Sequence, residues 1–371
     1  MDSHLISIFI FWLATFIVWF SATPYYIKML QEFKLWKSIR DNALMWKATE
    51  FFKLHKDKAW TPTMWGWVIL GAVFFMVIIS MILQWMWIIE HSLLNRQETY
   101  LSLFTLWTVW ILWAIDDFMN IKWIWRTKWL SWRFKMFWLI LFSTLWALWF
   151  YFKLWWGIEF NFIDWNFQVL SNISSDLINA FYTPFWTLDI GLFFIPIFIL
   201  MMVGFSNSVN ISDWLDWLAG WLLLFAYVVY GYITYDQQLF LLSTLCFSIS
   251  WALLAFLWFN IKPAKFYMWD MWSLALGANL WIIAMLTNTV FVLFIVWAIF
   301  VFETLSVMIQ LTSKKLRKWK KVFIIAPFHH HLEAIGWKEE TVVFRLWILW
   351  IIFAICWVMF YLIQKIWSND F

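Results

Sequence analysis

The chain has 371 residues, 65% of them hydrophobic and 13% charged, with a formal net charge of +4 and a mean hydropathy of +0.76. That balance excludes a soluble globular domain, leaves no expectation of a nucleic-acid partner, and points to a polytopic membrane protein whose first partner is the lipid bilayer. Cys246 and Cys356 both fall inside apolar stretches, so they offer neither a disulfide framework nor a metal spacing.

Ten segments are long and apolar enough to be read as spans: 5–27, 64–89, 100–118, 136–155, 185–205, 217–234, 238–259, 272–288, 289–311 and 343–364. The expected fold is all-α, a single transmembrane domain over 1–371 with about ten helices and no internal repeat. The first span has no Lys or Arg before it and no small-residue cleavage signal, so it reads as a retained helix. Loop 156–184 carries Glu159, Asp164 and Asp176 but no Lys or Arg, and its Ile158-to-Ile163 stretch has the pattern of a short hairpin. The sixth span is short, and only Thr287-Asn288 separates the eighth from the ninth. Of the 26 Lys and Arg, 23 lie in 28–63, 119–135, 260–271 and 312–345, leaving Arg96, Lys153 and Lys365 for the other side. The positive-inside rule puts those basic loops in the cytoplasm and both termini outside.

The residues with chemistry gather on that basic side. Asp116 and Asp117 close the third span, where adjacent carboxylates repel unless a cation compensates them and oppose the helix dipole. Asn207 to Asp216 packs four amide or carboxylate side chains into ten residues. Its Asn210, Asp213 and Asp216 are spaced i, i+3, i+6, which predicts one helical face of oxygen ligands suited to Mg²⁺. Asn260 to Asp270 ends in a carboxylate near Tyr267, an aromatic able to stack on a nucleobase and equally at home in an interfacial belt. Finally, Pro327-Phe328-His329-His330-His331-Leu332-Glu333 sets three imidazoles beside apolar runs. Neighbours on a helix point about 100° apart, so the three cannot share one metal from a regular helix. A loop presenting them to an anionic substrate at the membrane surface is the expected arrangement.

Taken together, these blocks resemble the phospho-N-acetylmuramoyl-pentapeptide-transferase family. The likeness runs from about Lys58 to Arg345. It is carried in family order by Thr61-Pro62-Thr63-Met64, Asp116-Asp117, the Asn207–Asp216 block, Pro263-Ala264 with Met268 and Asp270, Glu303-Thr304-Leu305-Ser306, and the triple histidine with Glu333. The resemblance implies transfer of a phospho-sugar from UDP-N-acetylmuramoyl-pentapeptide to undecaprenyl phosphate, with Mg²⁺, at the cytoplasmic face of a bacterial plasma membrane, by a protein assembling as a homodimer. It implies Asp270 with Asn210 as metal ligands, and Asp116 or Asp117 as base or metal partner at the lipid phosphate. Asn210, Asp213, Asp216, Asn260 and Tyr267 would line the nucleotide-sugar side. His329, His330 and His331 would bind phosphate or the muramoyl group, and Lys58, Lys128 and Lys135 would neutralise charge. A polyprenyl-phosphate N-acetylglucosamine-1-phosphate transferase would share all but the histidine block. An ion-coupled transporter would place its charges at mid-membrane and show repeat symmetry.

Two departures from the family stand out. Asn120 occupies a position where the family usually has lysine, with Lys122 nearby. Tryptophan also stands where the family has glycine, at Trp60, Trp65, Trp113, Trp129, Trp214, Trp217, Trp269 and Trp272, whereas Trp258 and Trp337 match family tryptophans. The composition agrees, with 38 Trp against 9 Gly, when glycine normally makes up about 7% of a chain. Tryptophan can neither take φ > 0 at no cost nor let a backbone approach a phosphate, as glycine does. The expectation is a gene whose UGA codons its own lineage reads as glycine.

Overall fold

A computed structural model describes residues 2–33, 66–87, 89, 92–95, 97–122, 132–156, 158–161, 166–169, 180–182, 187–189, 191–268 and 270–369. Its helices are α1 (Asp2–Glu32), α2 (Gly66–Trp85), α3 (Gln97–Lys122), α4 (Trp132–Trp156), α5 (Phe194–Ser212), α6 (Leu218–Asp236), α7 (Phe240–Asn260), α8 (Asp270–Leu286), α9 (Val290–Val296), α10 (Ala298–Leu316), α11 (Phe328–Ala334) and α12 (Glu339–Asn369). Between α4 and α5 lie two small antiparallel hairpins. The expected one starts where the sequence placed it, but its partner strand lies further on, with Ile158–Asn161 paired to Asn166–Val169. The second joins Ala180–Tyr182 to Thr187–Asp189.

The chain is a multi-pass membrane protein, and each of the ten apolar segments overlaps a helix, although 185–205 begins on the strand Thr187–Asp189 and becomes α-helical only from Phe194. Among the described residues, six helices are long and apolar enough to cross a bilayer, or seven when α9 and α10 count as one bent span. Three others, in α2, α3 and α8, have shorter apolar runs; that of α8 is confined between Asp270 and the Thr287 turn. The expected ninth span is two helices meeting at 72°. Trp297 forms the corner, and its indole N–H donates to Ser208 Oγ at 2.7 Å, which pins the bend to α5. The break between eighth and ninth spans falls where the sequence put it, with Asn288 at φ 53° and the Thr287 and Thr289 hydroxyls 2.7 Å apart.

Helices α6 and α7 form the interior, while α1 and α12 turn most of their surface outward. Helix α8 is the hub, packed most extensively against α3 and α5. An amide buried among apolar helices must be paired, and Asn279 is. Its Nδ2 donates to the Ser102 hydroxyl and carbonyl at 2.7 Å each, and its Oδ1 accepts the Tyr227 hydroxyl at 2.9 Å. Two residues nearer the site, Gly277 lets α8 touch α5 backbone to backbone. A Cβ there would lie 2.8 Å from the Phe205 carbonyl oxygen and 2.9 Å from Ser206 Cα. Gly277→Ala must therefore separate the two helices, at a cost of about 1–3 kcal/mol. The expected result is a lower melting temperature in detergent; an unchanged one would show that the helices separate freely.

Candidate active site

The end of α5 brings the first two candidate ligands together. Asn210 Nδ2 donates to Ser273 Oγ at 3.0 Å, across to the first turn of α8. Asp270 begins that helix, so Asn210 and Asp270, the expected metal pair, stand on adjoining turns of packed helices. The Gly277 contact sets this juxtaposition, because Gly277 and Ser273 are one turn apart on α8, as are Ser206 and Asn210 on α5.

The helical face expected for Asn210, Asp213 and Asp216 is not formed. Helix α5 stops at Ser212, and Asp213 is its C-cap, with its N–H donating to Val209 O. Asp216 sits in the turn that follows, buried, because its own N–H is taken by Glu339 Oε1 at 3.1 Å. Trp217 then reverses the chain in the left-handed region at φ 59° and serves as N-cap of α6.

Asn260 latches this turn to the next loop. Its Oδ1 accepts the Trp217 N–H at 2.7 Å and its Nδ2 donates to Phe266 O at 2.9 Å. With both ends of the amide on backbone, Asn260 shapes the site's walls. Buried Phe266 and Met268 flank half-buried Tyr267 and anchor its loop. Lys262 ties the same loop to the start of α12, 3.1 Å from Glu339 Oε2 and 3.1 Å from Glu340 Oε1. Burial works against the Lys262 charge, but the hydrogen bonds and fields of the two glutamates outweigh it, so its ammonium is held above the ordinary value. Sequence reasoning passed over Lys262 and Glu339, since acidic residues in a first turn are ordinary helix starts.

The histidine block is a short helix rather than a loop. Pro327 is the N-cap of α11, and its carbonyl accepts the His330 N–H at 3.1 Å, closing the first turn. As helical geometry requires, the three imidazoles diverge. His329 Nδ1 meets Glu303 Oε2 on α10 at 3.0 Å, His330 Nδ1 meets Glu333 Oε2 at 2.7 Å, and His331 Nδ1 accepts the Ile324 N–H at 3.3 Å. His329, His330 and Glu303 are fully buried. The rings of Trp214 and His330 lie 6.1 Å apart, so the Asn210–Asp216 block and the histidines border the same space.

Asp116 and Asp117 lie near the end of α3, which packs on α8. The Lys135 ammonium sits 5.0 Å from the Trp113 ring centroid, one turn before Asp116–Asp117. Lys58 and Lys128 lie outside the described residues. Thus the structure brings Asn210, Asp213, Asp216, Asn260, Tyr267, the start of α8 and the histidines to one region, and places the aspartate pair on the helix that α8 packs against.

Residues 99–288 match the glycosyl transferase family 4 model. Over 91% of the chain and 88% of the relative, the sequence is 36% identical to a phospho-N-acetylmuramoyl-pentapeptide-transferase of Pelagibacter ubique. An enzyme of the same name from Prochlorococcus marinus is 34% identical over 93% of the chain and 88% of its own length, and one from Orientia tsutsugamushi is 32% identical over 92% and 90%. The chain belongs to the phospho-N-acetylmuramoyl-pentapeptide-transferase family. It is a phosphoglycosyl transferase.

The donor set of this transferase fits Mg²⁺. Among the described residues, no three His, Cys, Asp or Glu side chains gather to hold an ion. Mg²⁺ favours one or two protein oxygens, with water and substrate phosphates supplying the rest, and Asn210 and Asp270 are oxygen donors on adjoining turns. Asn260→Ala should leave the Trp217 N–H without its partner, costing about 1–3 kcal/mol. The expected result is a lower melting temperature together with a raised KM for the nucleotide sugar, as the two loops drift apart. A wild-type KM in the variant would remove Asn260 from the shaping of the site.

Proposed function

We propose that the chain transfers phospho-N-acetylmuramoyl-pentapeptide from its UDP-linked form to undecaprenyl phosphate. The products are lipid I and UMP, made during peptidoglycan synthesis at the cytoplasmic face of the bacterial plasma membrane, with both termini outside. One observation carries the reading: the Asn210–Asp270 juxtaposition and the histidine helix border one space, joined through Trp214 and His330. A polyprenyl-phosphate N-acetylglucosamine-1-phosphate transferase would need the first of these but not the second.

In the reaction a phosphate oxygen of undecaprenyl phosphate attacks the sugar-linked phosphorus of the nucleotide sugar, and the bond from that phosphorus to the UMP oxygen breaks. Two anions must meet, so catalysis rests on positioning and charge compensation more than on covalent help. Asp116 or Asp117 engages the lipid phosphate and holds any proton it carries. Asn210 and Asp270 would hold Mg²⁺, which would neutralise charge on the diphosphate. Asp213, Asp216 and Tyr267 line the nucleotide side, within walls held by Asn260. Lys58, Lys128 and Lys135 offset the remaining charge, and the imidazoles contact separate groups of the phosphorylated sugar.

The test is UMP release from membranes containing the chain, offered each UDP-sugar with polyprenyl phosphate. It is run with tryptophan and with glycine at 60, 65, 113, 129, 214, 217, 269 and 272. Release with the muramoyl-pentapeptide substrate is expected; release only with UDP-N-acetylglucosamine would transfer the protein to the other activity. In the active form, Asp270→Asn should abolish turnover while leaving the protein inserted, and EDTA should stop the reaction. Activity that survives chelation would end the Mg²⁺ assignment.

A further inference from the structure

The backbone itself bears on which residue the working polypeptide carries at several tryptophan positions. Among the described non-glycine residues, six have φ between 52° and 68°, and three of them are Trp87, Trp217 and Trp319. A bulky side chain in that region is an outlier, whereas glycine enters it freely. Trp217 is the sharpest case. It is 7% exposed, stands at φ 59°, and has its N–H fixed by Asn260 in the turn that follows Asp216. A second, independent signature is polar. The indole N–H groups of Trp113, Trp217 and Trp272, like those of Trp19, Trp107, Trp146, Trp221, Trp281 and Trp347, are buried without a hydrogen-bond partner among the described residues, although a buried indole N–H ordinarily finds one; only the first three also stand where the family has glycine. Trp272 lies wholly within α8, the hub of the bundle. A glycine at each of these three positions would have no side-chain donor to satisfy.

We infer that the natural polypeptide carries glycine at 113, 217 and 272, inserted at UGA codons. Position 217 is assigned from its backbone angle and its unpartnered indole together. Peptide mass mapping of the natural protein tests the assignment directly: glycine is expected at all three, and tryptophan at any of them overturns it there. The conformational argument has its own test in the recombinant chain. Trp217→Gly and Trp217→Ala remove the same indole packing against Phe344 and Trp347, but only alanine keeps a Cβ at positive φ. The glycine variant should melt above the alanine variant; equal or reversed melting temperatures would overturn the glycine conformation.

A different observation concerns Glu303, which packs beneath the histidine helix. Both the His329 N–H, at 3.2 Å, and His329 Nδ1, at 3.0 Å, meet Glu303 Oε2. Oε2 already accepts the His329 backbone N–H, and as an acceptor for the ring as well it keeps the proton on Nδ1 and leaves Nε2, buried and with no partner among the described residues, as the other ring nitrogen. The other titratable groups next to this ring are His330, whose ring centroid is 4.2 Å away, and through it Glu333. The geometry points to Glu303 as a positioning residue that sets the His329 tautomer, which rests on the proposed role of the histidine block. Nitrogen-15 NMR of the labelled imidazole should show the proton on Nδ1 in the parent chain and in Glu303→Gln, whose amide oxygen still accepts, but not in Glu303→Met. In UMP release by the active form, Glu303→Met should lose about tenfold or more. The Glu303→Met/His329→Ala double variant should be no worse than His329→Ala alone. An unchanged tautomer, or additive losses, would overturn the assignment of Glu303. Wild-type turnover in His329→Ala would instead overturn the role of the histidine block and leave the tautomer result standing.

Discussion

Everything at the candidate site depends on how closely α5 and α8 approach. In a bilayer, helices gain little from hydrophobic association and are held by close packing and by interhelical hydrogen bonds. The contact at Gly277 supplies the first and Asn210–Ser273 the second. Because α8 also binds α3 through Asn279 and Ser102, two elements bearing candidate carboxylates and amides are fixed against the helix that Asp270 begins. A shift of that helix would move every one of them. The polar groups are thus serving packing and chemistry together, as buried polar groups in membrane bundles must.

Around that rigid pair the walls of the site are irregular backbone, and side chains hold them. Asn260 spans from the Trp217 amide to the Phe266 carbonyl, and Glu339 reaches from α12 both to the Asp216 amide and to Lys262. Non-helical backbone next to a membrane span is tolerated only where its donors and acceptors find partners. These side chains provide them, and so couple the nucleotide-side loops to the last helix. The histidine helix completes the enclosure from α10 through Glu303, a residue the sequence marked only as part of a motif.

The tryptophans run through the same architecture. Some take a clear structural part, such as Trp297, which pins the α9–α10 corner to Ser208, and Trp350, whose indole N–H donates to Val296 O at 3.1 Å. Others sit in backbone or polar surroundings that an indole does not suit. The difference between the two groups is invisible in composition and becomes visible only when φ angles and hydrogen-bond partners are known.

By itself the sequence determined the membrane class, the predominantly helical character of its apolar segments, the break at Thr287-Asn288 and the set of polar blocks. These are local signals, carried by runs of about twenty residues or by a few neighbours. The i, i+3, i+6 spacing of Asn210, Asp213 and Asp216 misled because a helix end is decided by what captures its last backbone groups. Here the captor of the Asp216 amide is Glu339, 123 residues away in the chain. The same holds for the 72° corner at Trp297, the pairing of His329 with Glu303, and the meeting of Trp214 with His330. Each is a contact between remote segments, and periodicity along a chain holds no record of which remote segments touch. Only the packing of the helices in three dimensions decided that.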